Sequence, residues 1–114
     1  MRKGDRIMAT LAELVTALSG TNYPFAHHAW ASAPNGTYGV YAEESSHGFY
    51  ADSKMQGQAI TCTVDVFTKD DSETIRSTVQ TALNTLDMPW YLDAIDFEED
   101  TGYIHYTWVV DLYG

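Results

Sequence analysis

Apolar residues recur along this chain with two periods, and each period marks a kind of element. Leu11, Leu14, Val15 and Leu18 fall at i, i+3, i+4 and i+7, one stripe of a helix predicted over 10–19. Thr10 and Glu13 have the spacing of a capping box, and Gly20 supplies a left-handed stop. A second helix is predicted over 72–86. There Ile75, Val79, Ala82, Leu83 and Leu86 share a face, Arg76, Ser77, Gln80 and Asn84 lie opposite, and Pro89 follows. Asp70 and Glu73 repeat the capping-box spacing and put acid at the positive end of the helix dipole.

Period two governs the strands. Over 59–68, Ile60, Cys62, Val64 and Val66 face one way, while Thr61, Thr63, Asp65 and Phe67 face the other. Two further strands are predicted over 91–98 and 103–112, joined by a turn over 99–102. The last carries Ile104, Tyr106, Trp108, Val110 and Leu112 on one face. Between the first helix and the central strand the pattern is weaker. An irregular entry and then a strand within 23–30, the turn residues Pro34-Asn35-Gly36 and a return strand over 38–42 suggest a hairpin. A polar loop over 43–48, a short extended piece over 49–52 and a turn over 53–57 complete the chain. The expected fold is α+β: a mostly antiparallel β-sheet with two helices packed on it. The core is predicted to contain Leu14, Leu18, Ile60, Val64, Val66, Ile75, Val79, Leu83, Trp108 and Val110.

The length of 114 residues is that of one domain, read as 9–114 preceded by an extension over 1–8. Three of the six basic residues, Arg2, Lys3 and Arg6, lie in that extension, and no apolar run follows it as a signal peptide would require. No run is long and apolar enough to span a bilayer. Sixteen acidic residues against six basic ones give a net charge of −10, which opposes nucleic-acid binding by phosphate neutralisation. Eight Tyr and three Trp suit either strand packing or interfaces.

Candidate chemistry is sparse. Cys62 is the single cysteine and shares a face with Ile60, Val64 and Val66, so it reads as a buried thiol with a raised pKa. Alone, it forms neither an internal disulfide nor a zinc-spaced motif, which fits a reducing compartment. His27 and His28 are adjacent, and strand alternation would send them to opposite faces, unable to hold one metal together. His47 is placed in a loop and His105 in a strand. The acids Asp93, Asp96, Glu98, Glu99 and Asp100 match no cation-loop spacing and read as a solvated hairpin end. No nucleophile motif or phosphate-cradling glycine loop occurs. The expectation is a protein that is not an enzyme, with no catalytic, cofactor or metal site.

The order of features carries a resemblance. A short helix leads to "YGVYAEESSHGFYADSK", then to the strand-to-helix stretch "ITCTVDVFTKDDSETIRSTVQTAL", then to the acidic hairpin "DFEEDTGYIHYTWVVDL". Tyr38-Gly39-Val40-Tyr41, Ala51-Asp52-Ser53-Lys54 and the run from Val64 through Asp71 occupy the places of similar motifs in the tail-terminator, or head–tail joining, proteins of siphophages. The chain resembles that family from about Leu11 to Leu112. The resemblance implies a ring, typically a hexamer, that caps the finished tail tube and docks to the head connector. Its partners would be copies of itself, the tail tube protein and the connector or stopper protein, with DNA passing through the lumen unbound. Its location would be the virion neck, after assembly in the host cytoplasm. Phe49 and Tyr50, aromatic amid the polar segment 43–54, are the expected protein-interface residues. Two alternatives stand beside this reading. One is another neck or tail protein, such as a stopper or tube subunit. The other is a small-molecule-binding domain with an aromatic pocket around Trp30, Tyr41 and Trp108.

Overall fold

The computed structural model describes the backbone over residues 9–51 and 54–113, and side chains over 9–45 and 59–113. The extension expected over 1–8 lies outside the described residues. Two helices, α1 (Leu11–Ser19) and α2 (Thr74–Asn84), accompany five strands: β1 (Phe25–His27), β2 (Tyr38–Ala51), β3 (Lys54–Thr68), β4 (Trp90–Glu98) and β5 (Tyr103–Tyr113). The strands form one sheet in the order β1-β2-β3-β5-β4, antiparallel except where β1 joins β2. The α+β class read from the sequence is the observed one.

The first helix starts as its sequence dictates. The Thr10 side chain accepts from the Glu13 amide, and the Glu13 carboxylate accepts from the Thr10 amide, satisfying two orphan donors. Its end departs from expectation, because Gly20 keeps right-handed helical angles (φ −71°). Instead the Thr21 hydroxyl donates to the Leu18 carbonyl, and Asn22 takes the left-handed conformation. The second helix is shorter than the predicted 72–86, and Asp70 and Glu73 form no capping box. Asp70 instead accepts from the Ser72 amide in an Asx turn, while Glu73 is a left-handed N-cap (φ +63°) without a side-chain cap bond. The acidic first turn expected there is absent.

Both helices lay their apolar stripes on one face of the sheet. Leu14 and Leu18 of α1, and Ile75, Val79 and Leu83 of α2, meet Cys62, Val64 and Val66 of β3 and Tyr106, Trp108, Val110 and Leu112 of β5. Of the ten predicted core residues, nine are buried, and Ile60 is half-buried against the same cluster. Trp108 is wholly enclosed, and its indole N–H donates to the Gln80 carbonyl oxygen at 3.2 Å. Gln80 is therefore not simply on the solvent side of its helix. Burying an indole demands a partner for its single donor, and Gln80 supplies it.

Three regions differ from the sequence reading. First, β1 pairs with β2 in parallel, Phe25 opposite Gly39 and His27 opposite Tyr41, so no hairpin forms there. A two-residue turn would reverse the chain, whereas the long connection over 28–37 carries it back to start β2 beside β1 in the same sense. Gly39 lets the two strands approach, since a Cβ at that position would overlap the Phe25 ring. Second, the polar segment over 43–48 and the turn over 53–57 are not loops. Residues 43–48 belong to β2 and 54–57 to β3, which pair with each other from Tyr38 opposite Phe67 to Ala51 opposite Lys54, while residue 53 lies outside the described residues. Third, β3 pairs with β5 only from Ala59 onward. Among the described residues, the outer part of the β2–β3 hairpin pairs only with itself and forms an arm beyond the sheet. The protein measures 52 × 23 × 23 Å.

Candidate functional site

The sheet face away from the helices carries one group of polar and aromatic side chains. Asp65 on β3 and His105 and Thr107 on β5 are brought together by the β3–β5 register, with Asp65 opposite Thr107. His105 Nε2 donates to Asp65 Oδ1 at 2.7 Å, and the Thr107 hydroxyl donates to the same oxygen at 2.9 Å. Phe67 stacks on the His105 ring at 4.2 Å, and Glu98 lies 3.8 Å from its Nδ1. Tyr38 stacks on Phe67 at 5.0 Å, while Tyr103 meets both edge-on. Trp30, Tyr38, Phe67 and His105 border an open concavity of about 440 Å³.

The hydrogen bond to Asp65 raises the His105 pKa above the ordinary histidine value, with burial opposing it. Burial works against ionisation of Asp65, but hydrogen bonds from His105 and Thr107 outweigh it and hold the carboxyl below its usual range. The histidine contribution to stability is fully present below about pH 6.5 and is lost as pH rises through the raised value. The aspartate contribution is present above about pH 4 and is lost as pH falls through the lowered value. The pair thus stabilises most between those limits. Raising pH from 6 to 8 should cost the wild type about 1 kcal/mol more than His105→Asn, since the pair is partly solvated. Urea unfolding of both at the two pH values measures this, and equal losses would remove the pair from the stability account.

The aromatic pocket expected around Trp30, Tyr41 and Trp108 does not assemble. Trp108 is buried on the helix side of the sheet, whereas Trp30 donates its N–H to the Gly39 carbonyl and meets Tyr38 edge-on at 6.4 Å. Strand parity decides this: Trp108 shares its face with Tyr106 and Val110, which fill the core.

His27 and His28 also depart from expectation. His28 has φ +69° and lies just beyond β1, and the Ala29 amide donates to the His27 carbonyl across it. This tight turn cancels strand alternation, so the two rings stack at 3.9 Å rather than pointing apart. Tyr41 stacks on His27 at 4.9 Å, and His27 Nε2 bonds Glu43 Oε1. That bond is the main cause holding the Glu43 carboxyl below its usual range. Ring nitrogens of both histidines and a Glu43 oxygen lie within 4.8 Å of one another.

Cys62 sits where the sequence put it, fully buried, and burial pushes its thiol up to about 11. It should react with thiol reagents only as fast as the fold opens, and Cys62→Ala should leave function intact. Native-state labelling as fast as that of a free thiol would contradict the burial.

Two further surfaces present themselves. On the edge strand β4 a register shift at Leu92/Ala94 leaves Asp93 as the extra residue. Beyond it Ile95 pairs with Tyr106 and Phe97 with Ile104, which places both on the helix-side parity but past the helices, 48% and 65% exposed. The β2–β3 arm bears the expected interface residues, and its backbone pairs Phe49 with Gly57 and Tyr50 with Met55. The side chains of Phe49, Tyr50 and His47 lie outside the described residues, although His47 belongs to β2, not to a loop. Asp93, Asp96, Glu99 and Asp100 are exposed along β4 and its turn, as a solvated hairpin end would be, whereas Glu98 of the same group is half-buried beside His105. Among the described residues, no helix is long and apolar enough to cross a membrane.

No family model matches the chain, and no curated protein matches it.

Proposed function

We propose that this chain is a structural assembly protein that caps a completed phage tail tube as a ring, typically a hexamer, and joins the tail to the head connector. The observation that carries this reading is the β2–β3 arm, which continues past the sheet and, among the described residues, pairs only with itself. A two-stranded ribbon is marginal in water, and its unpaired edges are templates for another chain. Such an arm is stabilised when a neighbour covers it. The exposed Ile95 and Phe97 on the opposite edge offer a second apolar contact, as a ring subunit with two neighbours requires. Acids along β4 and its turn, together with the net charge of −10, suit a lumen that DNA passes without sticking.

A stopper or tube subunit would use the same arm and edge, and differs in what it assembles on. A small-molecule site is favoured by the concavity bordered by Trp30, Tyr38, Phe67 and His105, whose size is adequate for a ligand. Light scattering separates these readings. The purified chain should be monomeric or weakly associating alone, and should form a higher-order complex when mixed with tail tube protein. A chain that stays monomeric in the presence of assembled tubes contradicts the proposal.

A further inference from the structure

We propose that His27, His28 and Glu43 form a binding site for a divalent transition-metal ion of the zinc class, with two imidazole nitrogens and one carboxylate oxygen as ligands. The site stands independently of the assembly reading.

Three features of the backbone build it. The β1–β2 register places His27 opposite Tyr41, and Glu43, two residues on, projects from β2 on the same side as Tyr41. The turn at His28 then adds the second imidazole. A non-glycine residue at φ +69°, bridged by a hydrogen bond from residue i+2 to residue i, is a rare and strained conformation. Strain of this kind persists where surrounding contacts fix it, and it concentrates at ligand sites. Here the His28 amide donates to the Tyr41 carbonyl at 2.8 Å, which pins the strained residue to β2. The outcome of that strain is a second ring nitrogen beside the first.

The donor chemistry selects the ion. Calcium and magnesium take oxygen ligands, so two imidazoles disfavour them. Imidazole with carboxylate suits zinc, nickel, cobalt or copper. In a tetrahedral zinc site neighbouring donors are about 3.3 Å apart, given bonds of about 2.0–2.1 Å. The three donors, all within 4.8 Å of one another, lie near that spacing. Tyr41 stacked on His27 restricts that ring, so less rotational freedom is lost on binding. The His27–Glu43 hydrogen bond accounts for two of the three groups without a metal. It does not account for His28, whose ring makes no hydrogen bond among the described residues; it stacks on His27 and interacts with Glu43 through charge alone. A shared cation engages all three. Three protein ligands leave one position for water or for a donor from another molecule.

The test is calorimetric titration of the full untagged chain with zinc chloride, repeated with cobalt(II) read by its visible absorption. Wild type should bind one equivalent and give the intense cobalt band of four- or five-coordination. His28→Ala and Glu43→Gln should each weaken binding at least tenfold, while His105→Asn leaves it unchanged. His28 is exposed and Glu43 half-buried, so circular dichroism should show these variants folded. If wild type binds zinc no more tightly than the His27→Ala, His28→Ala double variant, the site does not exist. Binding that His105→Asn removes and His28→Ala spares would equally overturn the proposal.

Discussion

If the chain caps tails as proposed, replacing Phe49 and Tyr50 together by alanine should leave the domain folded and stop the capping. The fold should survive because, among the described residues, the arm carrying both residues pairs only with itself, whereas β3 joins β5 from Ala59 onward and the core lies under that part of the sheet. Capping should fail if both are hot spots of the interface, since such residues cost about 2 kcal/mol or more each when truncated. Losing two weakens docking by about a thousandfold. Infectious yield in a complementation assay should fall with it, with tails of irregular length or heads and tails left unjoined. Normal yield from a folded double variant would remove the arm as the docking surface.

Leu83→Ala should destabilise the domain by about 2–5 kcal/mol, the range for a leucine removed from a packed core. Leu83 is wholly buried in the cluster that ties α2 to β3 and β5. The cavity would open beside residues such as Trp108 and Val79, held by the sheet and the helix, so little collapse can relieve it. Against a total stability of about 5–15 kcal/mol for a domain of this kind, that is a large share of the whole. Chemical denaturation compares the two proteins directly. A loss below about 0.5 kcal/mol, the scale of a surface substitution, would contradict the packing.

These two predictions concern parts of the chain that differ in how plainly the sequence announces them. The Leu83 face of α2, the Val64 and Val66 face of β3 and the Trp108 face of β5 are legible because burial against the protein's own core imposes a period on apolar residues. The strand that leads out to the arm is not legible. The stretch Glu43-Glu44-Ser45-Ser46-His47-Gly48 has no apolar alternation, although Glu43 to His47 pair with β3 where β3 also pairs with β5. It therefore reads as a loop, and only the pairing with β3 reveals the strand. The parallel sense of β1 is hidden for a related reason, as three residues carry too little pattern to show direction.

The His27, His28 and Glu43 group escapes sequence reading because a sound rule is applied where it does not hold. Alternation separates neighbouring side chains only while both residues keep extended angles, and His28 does not. Nothing in His27-His28-Ala29 signals that conformation, because glycine, its usual marker, is absent. The Asp70–Glu73 pair is a similar case. The spacing fits a capping box, yet Asp70 is engaged by Ser72 before the helix begins. A motif of two residues states what is possible locally, and the backbone around it decides which possibility is taken.

The assembly role is tested most directly by electron microscopy of lysates from a phage genome that carries this coding sequence, with the sequence interrupted. A tail-capping protein predicts filled heads without tails, alongside free tails whose lengths vary because nothing stops the tube. Joined virions with tails of normal, uniform length would contradict it.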